Sequence, residues 1–422
     1  MKTKIYFFFI FFLAFAISTL IYLQIDKKNK KGTNVKFLSK KNFHSSLRNP
    51  VSWMKDQIEK DFQEIDQFSS QIVDDTMQSI KKNAVFGKDA FYRYRIINNK
   101  LYRYHFENEK IAINDLDFER AVKTLLRLTK IADIDFIYTD VDGLPLDIVP
   151  KSVYQNIDRF APILCHAKLK DEKNVILIPD HNSYTKSWKT LTKQIISENQ
   201  KVLWDQKKEK AFWRGGSNDQ QYTLDNYKKK PRFIISKLSR SYFDSIDAGI
   251  TPSWGFQLEP ILKKEDVLKD FATILEHLEC KYLPNIDGYM CSYPGYQWRL
   301  LSNSICFKQE SDQIQWFYGA LHPYEHYIPI KNDISDLIDK INWAKKNDSV
   351  CVKITKNATN FAKNNLMLEN VYVYLYKVLE KYSKYQSLNR QKLLNDLKQD
   401  NRWVCIENRK KTIKILKKRK QN

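Results

Sequence analysis

The chain alternates short apolar runs with stretches of helical length, and this rhythm limits its possible folds more than any other feature. Phe136-Ile-Tyr138, Pro162-Ile-Leu164, Val175-Ile-Leu-Ile-Pro179, Lys210-Ala-Phe-Trp213 and Ser304-Ile-Cys-Phe-Lys308 are long enough for buried strands and too short for helices. Helical spacing lies between and around them: Trp53, Ile58, Phe62, Ile65 and Phe68; residues 118–130; and Ile334, Leu337, Ile338 and Ile341 behind Asp333, which is placed to cap that helix. Leu368, Val371, Tyr372, Leu375, Val378, Leu379 and Tyr382 share one face of a long closing helix whose stripe reads as core. Residues 92–106 alternate about Asn98-Asn99 and predict a hairpin. Strands parted by helical lengths predict βαβ units and parallel sheets. The expected architecture is α/β, with two lobes joined near residue 205 and a cleft where strand C-termini face each other.

Such a fold needs a large core, and 43% hydrophobic with 14% aromatic residues supplies one, which excludes a wholly disordered chain. Ten Gly and twelve Pro exclude collagen-like and glycine-rich repeats. Six cysteines, Cys165, Cys280, Cys291, Cys306, Cys351 and Cys405, contain no C-x-x-C pair, so a zinc ribbon is unsupported; a reduced compartment or one or two isolated bridges fits equally.

The ends have a different character. Ile5 to Ile25 carries no charge, and about 20 apolar residues span a bilayer, so residues 1–25 are expected to be an uncleaved transmembrane anchor, followed by a basic linker over 26–48. The net charge of +22 is crowded there, in Lys27 to Lys41, and at the C-terminus, in Arg409 to Lys420. Basic arms beside a membrane segment suit anionic headgroups, at about 1 kcal/mol per residue, and nucleic acid is not an expected partner. Seven lysines after the span against two before it favour a cytoplasmic catalytic part, with a lumenal one as the alternative.

Three segments carry chemistry. Trp213-Arg214-Gly215-Gly216-Ser217 closes a strand with two glycines, so backbone N–H groups can cradle an oxyanion beside a guanidinium that pairs a phosphate bidentately; a structural ion pair at Arg214 is the plain alternative. Asp140-Val-Asp142-Gly143 puts carboxylates at another strand end, where they can serve as a general base, bind metal or cap a helix. Asn285-Ile-Asp287-Gly288 through Arg299 forms a turn before a third strand, and Glu310 after that strand can reach a sugar or ribose hydroxyl. His326 reads first as a structural histidine and second as a catalytic one.

The runs KAFWRGGSND, PRFIISKLSR, KYLPNIDGY, LLSNSICFKQES, LHPYEHYIPIKNDISDLIDKINWAKKND and VYLYKVLEKYSKY, in that order, resemble the family-90 glycosyltransferases, which include capsule-associated, lipopolysaccharide-modifying and protein O-glucosyltransferase enzymes. The resemblance implies a GT-B fold of two Rossmann-like lobes, a UDP-sugar donor, no metal or other cofactor, and inversion in one displacement. By motif match it places Arg214, Gly215, Gly216 and Ser217 on the UDP diphosphate, with Asp287, Arg299 and Glu310 also on the donor. Arg299 stands elsewhere on its loop than the Ser-x-Arg arginine of many members. Asp142 is implied as the general base, with Asp140 as the neighbour in register.

The implied organisation is an acceptor-side lobe over 49–205, a UDP-sugar lobe over 206–370, a closing helix over 371–390 and a basic tail over 391–422. The expected function is transfer of a hexose or pentose, glucose or xylose first, to a hydroxyl of a surface glycan, glycolipid or lipopolysaccharide-type acceptor. The alternatives are a protein Ser/Thr acceptor in a secretory lumen and a non-catalytic sugar- or polyanion-binding membrane protein.

Overall fold

The computed structural model describes residues 38–83, 88–106, 116–143, 159–217, 223–252 and 258–408. The expected anchor at 1–25 and the basic residues 409–422 lie outside the described residues, among which no helix is long and apolar enough to cross a membrane. The larger helices are α1 (Lys40–Arg48), α2 (Ser52–Phe62), α3 (Ser70–Asn83), α4 (Asp117–Leu128), α5 (Lys186–Glu198), α6 (Pro231–Ser241), α7 (Gly295–Leu300), α8 (Leu337–Lys346), α9 (Asp348–Asn365), α10 (Leu368–Tyr385) and α11 (Arg390–Gln399).

The first half builds β1 (Phe91–Ile97), β2 (Lys100–Tyr104), β3 (Ile134–Thr139), β4 (Ile163–Cys165), β5 (Ala167–Leu169) and β6 (Val175–Leu177). Asn98 and Asn99 both take positive φ, 50° and 57°, which closes β1 and β2 with the left-handed turn that right-twisted strands require. Strands β3, β4 and β6 run parallel, and β1 joins β3 antiparallel. Every residue of β3 is buried, including Asp135. That carboxylate is tolerated because Arg95, directly opposite on β1, donates Nε at 2.8 Å and Arg93 donates at 2.8 and 3.0 Å.

The second half forms β7 (Lys208–Gly216), β8 (Ile246–Thr251), β9 (Cys280–Asn285), β10 (Ile305–Gln309), β11 (Gln313–Gln315) and β12 (Ile328–Ile330), and a final β13 (Trp403–Cys405) follows α11. One sheet has the order β13-β2-β1-β3-β4-β6, and the other has the order β12-β10-β9-β7-β8 with every pairing parallel. Counted along the chain, the second order is 2-1-3-4-5, a doubly wound sheet whose order reverses between β7 and β9. Strands β5 and β11 pair antiparallel and link the halves. Helix α10 returns to the first half, where Tyr382 donates to the Pro162 carbonyl at 3.2 Å and Tyr372 to that of Tyr184 at 3.3 Å.

Three expectations are corrected. Asp333 does not cap α8: its carboxylate accepts from the Ser335 amide at 3.0 Å, and the helix begins after Asp336. The helical stripe from Trp53 ends at Phe62 rather than Phe68, because Phe68 enters a two-residue parallel pairing with Gln386. Residues 391–408 are not a tail: α11 packs back through an Arg95–Asp396 pair at 3.0 Å, and β13 extends the first sheet beside β2, bringing Trp403 under the Arg95 guanidinium at 4.1 Å. All six cysteines are free, five of them buried.

Candidate active site

In a doubly wound sheet, chains leaving adjacent strands in opposite directions open a crevice at the order reversal. Here the crevice lies between the ends of β7 and β9, and Gly215, Gly216, Ser217 and Asp287 all fall there. The Asp287 carboxylate is buried and accepts from the Ser311 hydroxyl at 2.6 Å, while its amide donates to Gln309 Oε1 at 2.9 Å. Burial raises its pKa, opposed by Lys308, Ser311 and Arg232. Glu310 follows β10 at the same edge and is exposed.

The arginine spanning this crevice is Arg232, not Arg214. Pro231 starts α6, which fixes Arg232 in the first helical turn. Its Nε donates to the Asp287 carbonyl at 3.0 Å, a terminal nitrogen reaches the Ile286 carbonyl at 3.4 Å, and another bonds the Gly216 carbonyl, so one guanidinium joins both strand ends. A Cβ at Gly288 would come within 2.6 Å of that guanidinium, which is why the turn ends in glycine. Arg214 is engaged on the neighbouring strand instead, pairing with Asp247 of β8 at 2.8 Å and covering Phe212 at 4.5 Å.

Arg299 approaches from α7 on the Phe212 face, through Phe212–His277 and His277–Trp298 ring contacts of 4.8 and 5.2 Å. It is 4% exposed, its Nε has no hydrogen-bond partner, and it makes no ion pair among the described residues. Burial lowers its pKa to about 10, and the like charge of Arg232 adds to the shift. A buried guanidinium with an unmet donor is costly unless an anion arrives.

The first sheet presents its own strand ends. The turn after β3 carries Asp140 and Asp142, and Gly143 there has φ +144°, where a Cβ would meet the Met290 side chain at 2.5 Å. Met290 belongs to the loop leaving β9, so the Asp142 turn abuts the loop of the crevice. Tyr293, on that loop, has its phenol pKa raised by burial and by the Asp142 carboxylate. Asp142 is exposed, whereas Asp140 accepts the Tyr138 hydroxyl proton at 2.7 Å. Burial raises the Asp140 pKa, and the Tyr138 hydrogen bond opposes it.

Behind Asp140 stand His166, just after β4, and His181, beyond β6; burial holds the His166 pKa down to about 3. Asp140, His166 and His181 each offer an atom within 4.8 Å of the others, the one metal-compatible cluster among the described residues. His326 lies apart from these groups: its Nδ1 accepts from the His322 amide at 3.1 Å and its ring meets Phe361 edge-on at 5.4 Å, a structural role.

Two guanidiniums at a sheet crevice, facing a carboxylate turn on a second sheet, come together with a sequence match over residues 49–419 to the family described as "Glycosyl transferase family 90". The chain belongs to glycosyl transferase family 90. Family-90 relatives include human "Protein O-glucosyltransferase 3", 28% identical over 80% of this chain and 64% of that protein, and zebrafish (Danio rerio) "Protein O-glucosyltransferase 2", 27% identical over 71% and 57%. The chain thus spans somewhat under two thirds of these relatives' length. Both relatives are named for a protein acceptor, unlike the surface-glycan acceptor expected first from the sequence. Among solved structures, Anabaena Alr3699/HepE in complex with UDP and glucose is similar over 62% of this chain and 74% of that one, at 11% identity and a TM-score of 0.36.

Arg232 could have been found in the sequence. Pro-Arg starting the helix after a strand that ends in Gly-Gly is the position from which a first-turn side chain reaches back to the strand end. Tyr138, His166 and His181 gave no such signal, because their meeting depends on how β3, β4 and β6 lie side by side.

Proposed function

We propose that this family-90 chain is a GT-B-type inverting glycosyltransferase that moves glucose or xylose from a UDP-sugar to a hydroxyl acceptor. The observation that carries this reading is the buried Arg299, which has no carboxylate partner among the described residues and feels the like charge of Arg232 at the switch point. A nucleoside diphosphate leaving group supplies the missing anion. Arg232, Arg299 and the Gly215–Ser217 backbone hold that diphosphate and stabilise the charge that grows on it as the sugar departs. Asp287 and Glu310 complete the donor side, and Arg214 supports β7 through Asp247.

On the facing side, Asp142 takes the proton of the acceptor hydroxyl as that oxygen attacks the anomeric carbon from the face opposite UDP. The C–O bond to the acceptor forms, the C–O bond to UDP breaks, its electron pair leaves with UDP, and the configuration inverts. Asp142 suits this role better than Asp140, whose oxygen is already engaged as the acceptor of the Tyr138 hydroxyl. The names of the relatives favour a protein Ser/Thr hydroxyl over a surface glycan. A membrane anchor at 1–25, with the basic residues against anionic headgroups, belongs to the same proposal and is checked by alkaline extraction and protease protection.

The deciding experiment is UDP release from a panel of UDP-sugars by the full chain, with Mg²⁺ or Mn²⁺ added or left out. Release from one sugar at a rate indifferent to the added ion supports the reading. Absence of both release and UDP binding overturns it in favour of a non-catalytic protein.

A further inference from the structure

His166 and His181 have no task in that chemistry, yet they complete a cluster drawn from three neighbouring strand ends. The Tyr138 hydroxyl has one proton, and it goes to Asp140 Oδ1 at 2.7 Å. Toward His166 Nε2, 3.2 Å away, the phenol oxygen therefore accepts, so the imidazole carries its proton on Nε2 and a lone pair on Nδ1. That Nδ1 is buried without a hydrogen-bond partner in a side chain 1% exposed. His181 has the opposite tautomer: its Nε2 accepts from Asn182 Nδ2 at 3.2 Å, so its proton lies on Nδ1, which is buried and unpartnered and would give that proton up to a bound metal ion. Two orphaned imidazole nitrogens beside a carboxylate are an expensive arrangement for a protein to keep for packing alone.

We propose that Asp140, His166 and His181 bind one divalent transition-metal ion of the zinc class on the acceptor side of the cleft. Two imidazoles and a carboxylate are a zinc donor set, and three protein ligands leave a tetrahedral ion one position for a solvent or acceptor oxygen. Tyr138 is the outer hydrogen-bond partner that fixes which nitrogen of a metal-bound histidine is free. The site is distinct from the diphosphate crevice, which is met by arginines, and it goes beyond the transferase reading.

The test is metal stoichiometry. The full chain, stripped with a chelator and dialysed against Zn²⁺ alone, is expected to retain about one more ion per chain than His181→Ala or Asp140→Ala. Zn²⁺ should raise the melting temperature of the native chain and leave that of His181→Ala unmoved. His181 is the key position, because it is half-buried and its loss should spare folding, whereas His166 is enclosed. Co²⁺ should give the intense visible bands of a four-coordinate ion in the native chain only. Equal Zn²⁺ content in native and His181→Ala protein, or none in either, overturns the proposal. Metal content owes nothing to UDP release, so the two readings can fail separately.

Discussion

Single side chains divide the proposed chemistry into parts that mutate differently. Asp142→Asn removes a base but no donor contact, so turnover should fall by about 10²–10⁴-fold while the UDP dissociation constant stays within about twofold. Arg232→Ala removes charge-assisted contacts from the crevice, and calorimetry should show UDP affinity falling roughly 10- to 100-fold. Arg214→Ala breaks a pair with the part-exposed Asp247, so its main effect should be a small loss of stability. If Arg214→Ala costs as much UDP affinity as Arg232→Ala, the diphosphate returns to the arginine that the sequence singled out. Both aspartates of the Asp140/Asp142 turn were visible in the sequence. What separated them was Tyr138, whose hydroxyl faces Asp140 only after the strand ends.

Elements depend on partners far away in the chain, and this is where reading by pattern stops. Period and turn chemistry found β1, β2, β3, β6, β7, β10 and α10, since each carries its own signal of alternation, apolar run or stripe. Strand β13 carries none: Trp403-Val-Cys405 is three residues in a polar stretch, and only the open edge of β2 makes it a strand. Truncation after Tyr385 should therefore expose that edge and the Arg95 face, seen as aggregation and a lower melting temperature. A second element-scale effect is pH-dependent. His277, in the short helix Ile274–His277, donates Nδ1–H to the Thr273 carbonyl at 2.8 Å and is held by burial at a pKa of about 4. Between about 6.5 and 4 the unfolded chain takes up a proton that the folded chain refuses, so stability should decline as pH falls through that window. Melting curves of His277→Gln should show a shallower decline.

For the whole molecule, the buried Arg93–Asp135–Arg95 group ties α3, β1, β3 and α11 together, since Arg93 also pairs with Asp74 and Arg95 with Asp396. Asp135→Ala leaves two buried guanidiniums short of a partner and should cost about 3–5 kcal/mol, read from denaturant unfolding. The two halves also share a short ladder. Strands β5 and β11 align Ala167 with Gln315 and Leu169 with Gln313, and the Lys170 amide continues the ladder to the Asp312 carbonyl at 2.8 Å. A clamshell would have to unzip that ladder to open. The ladder does not act alone, since the Ser183 hydroxyl meets Gln297 at 2.8 Å and Asn199 donates to the Leu301 carbonyl at 2.7 Å, so it is one rivet in a seam that fixes how far the donor side stands from the acceptor side.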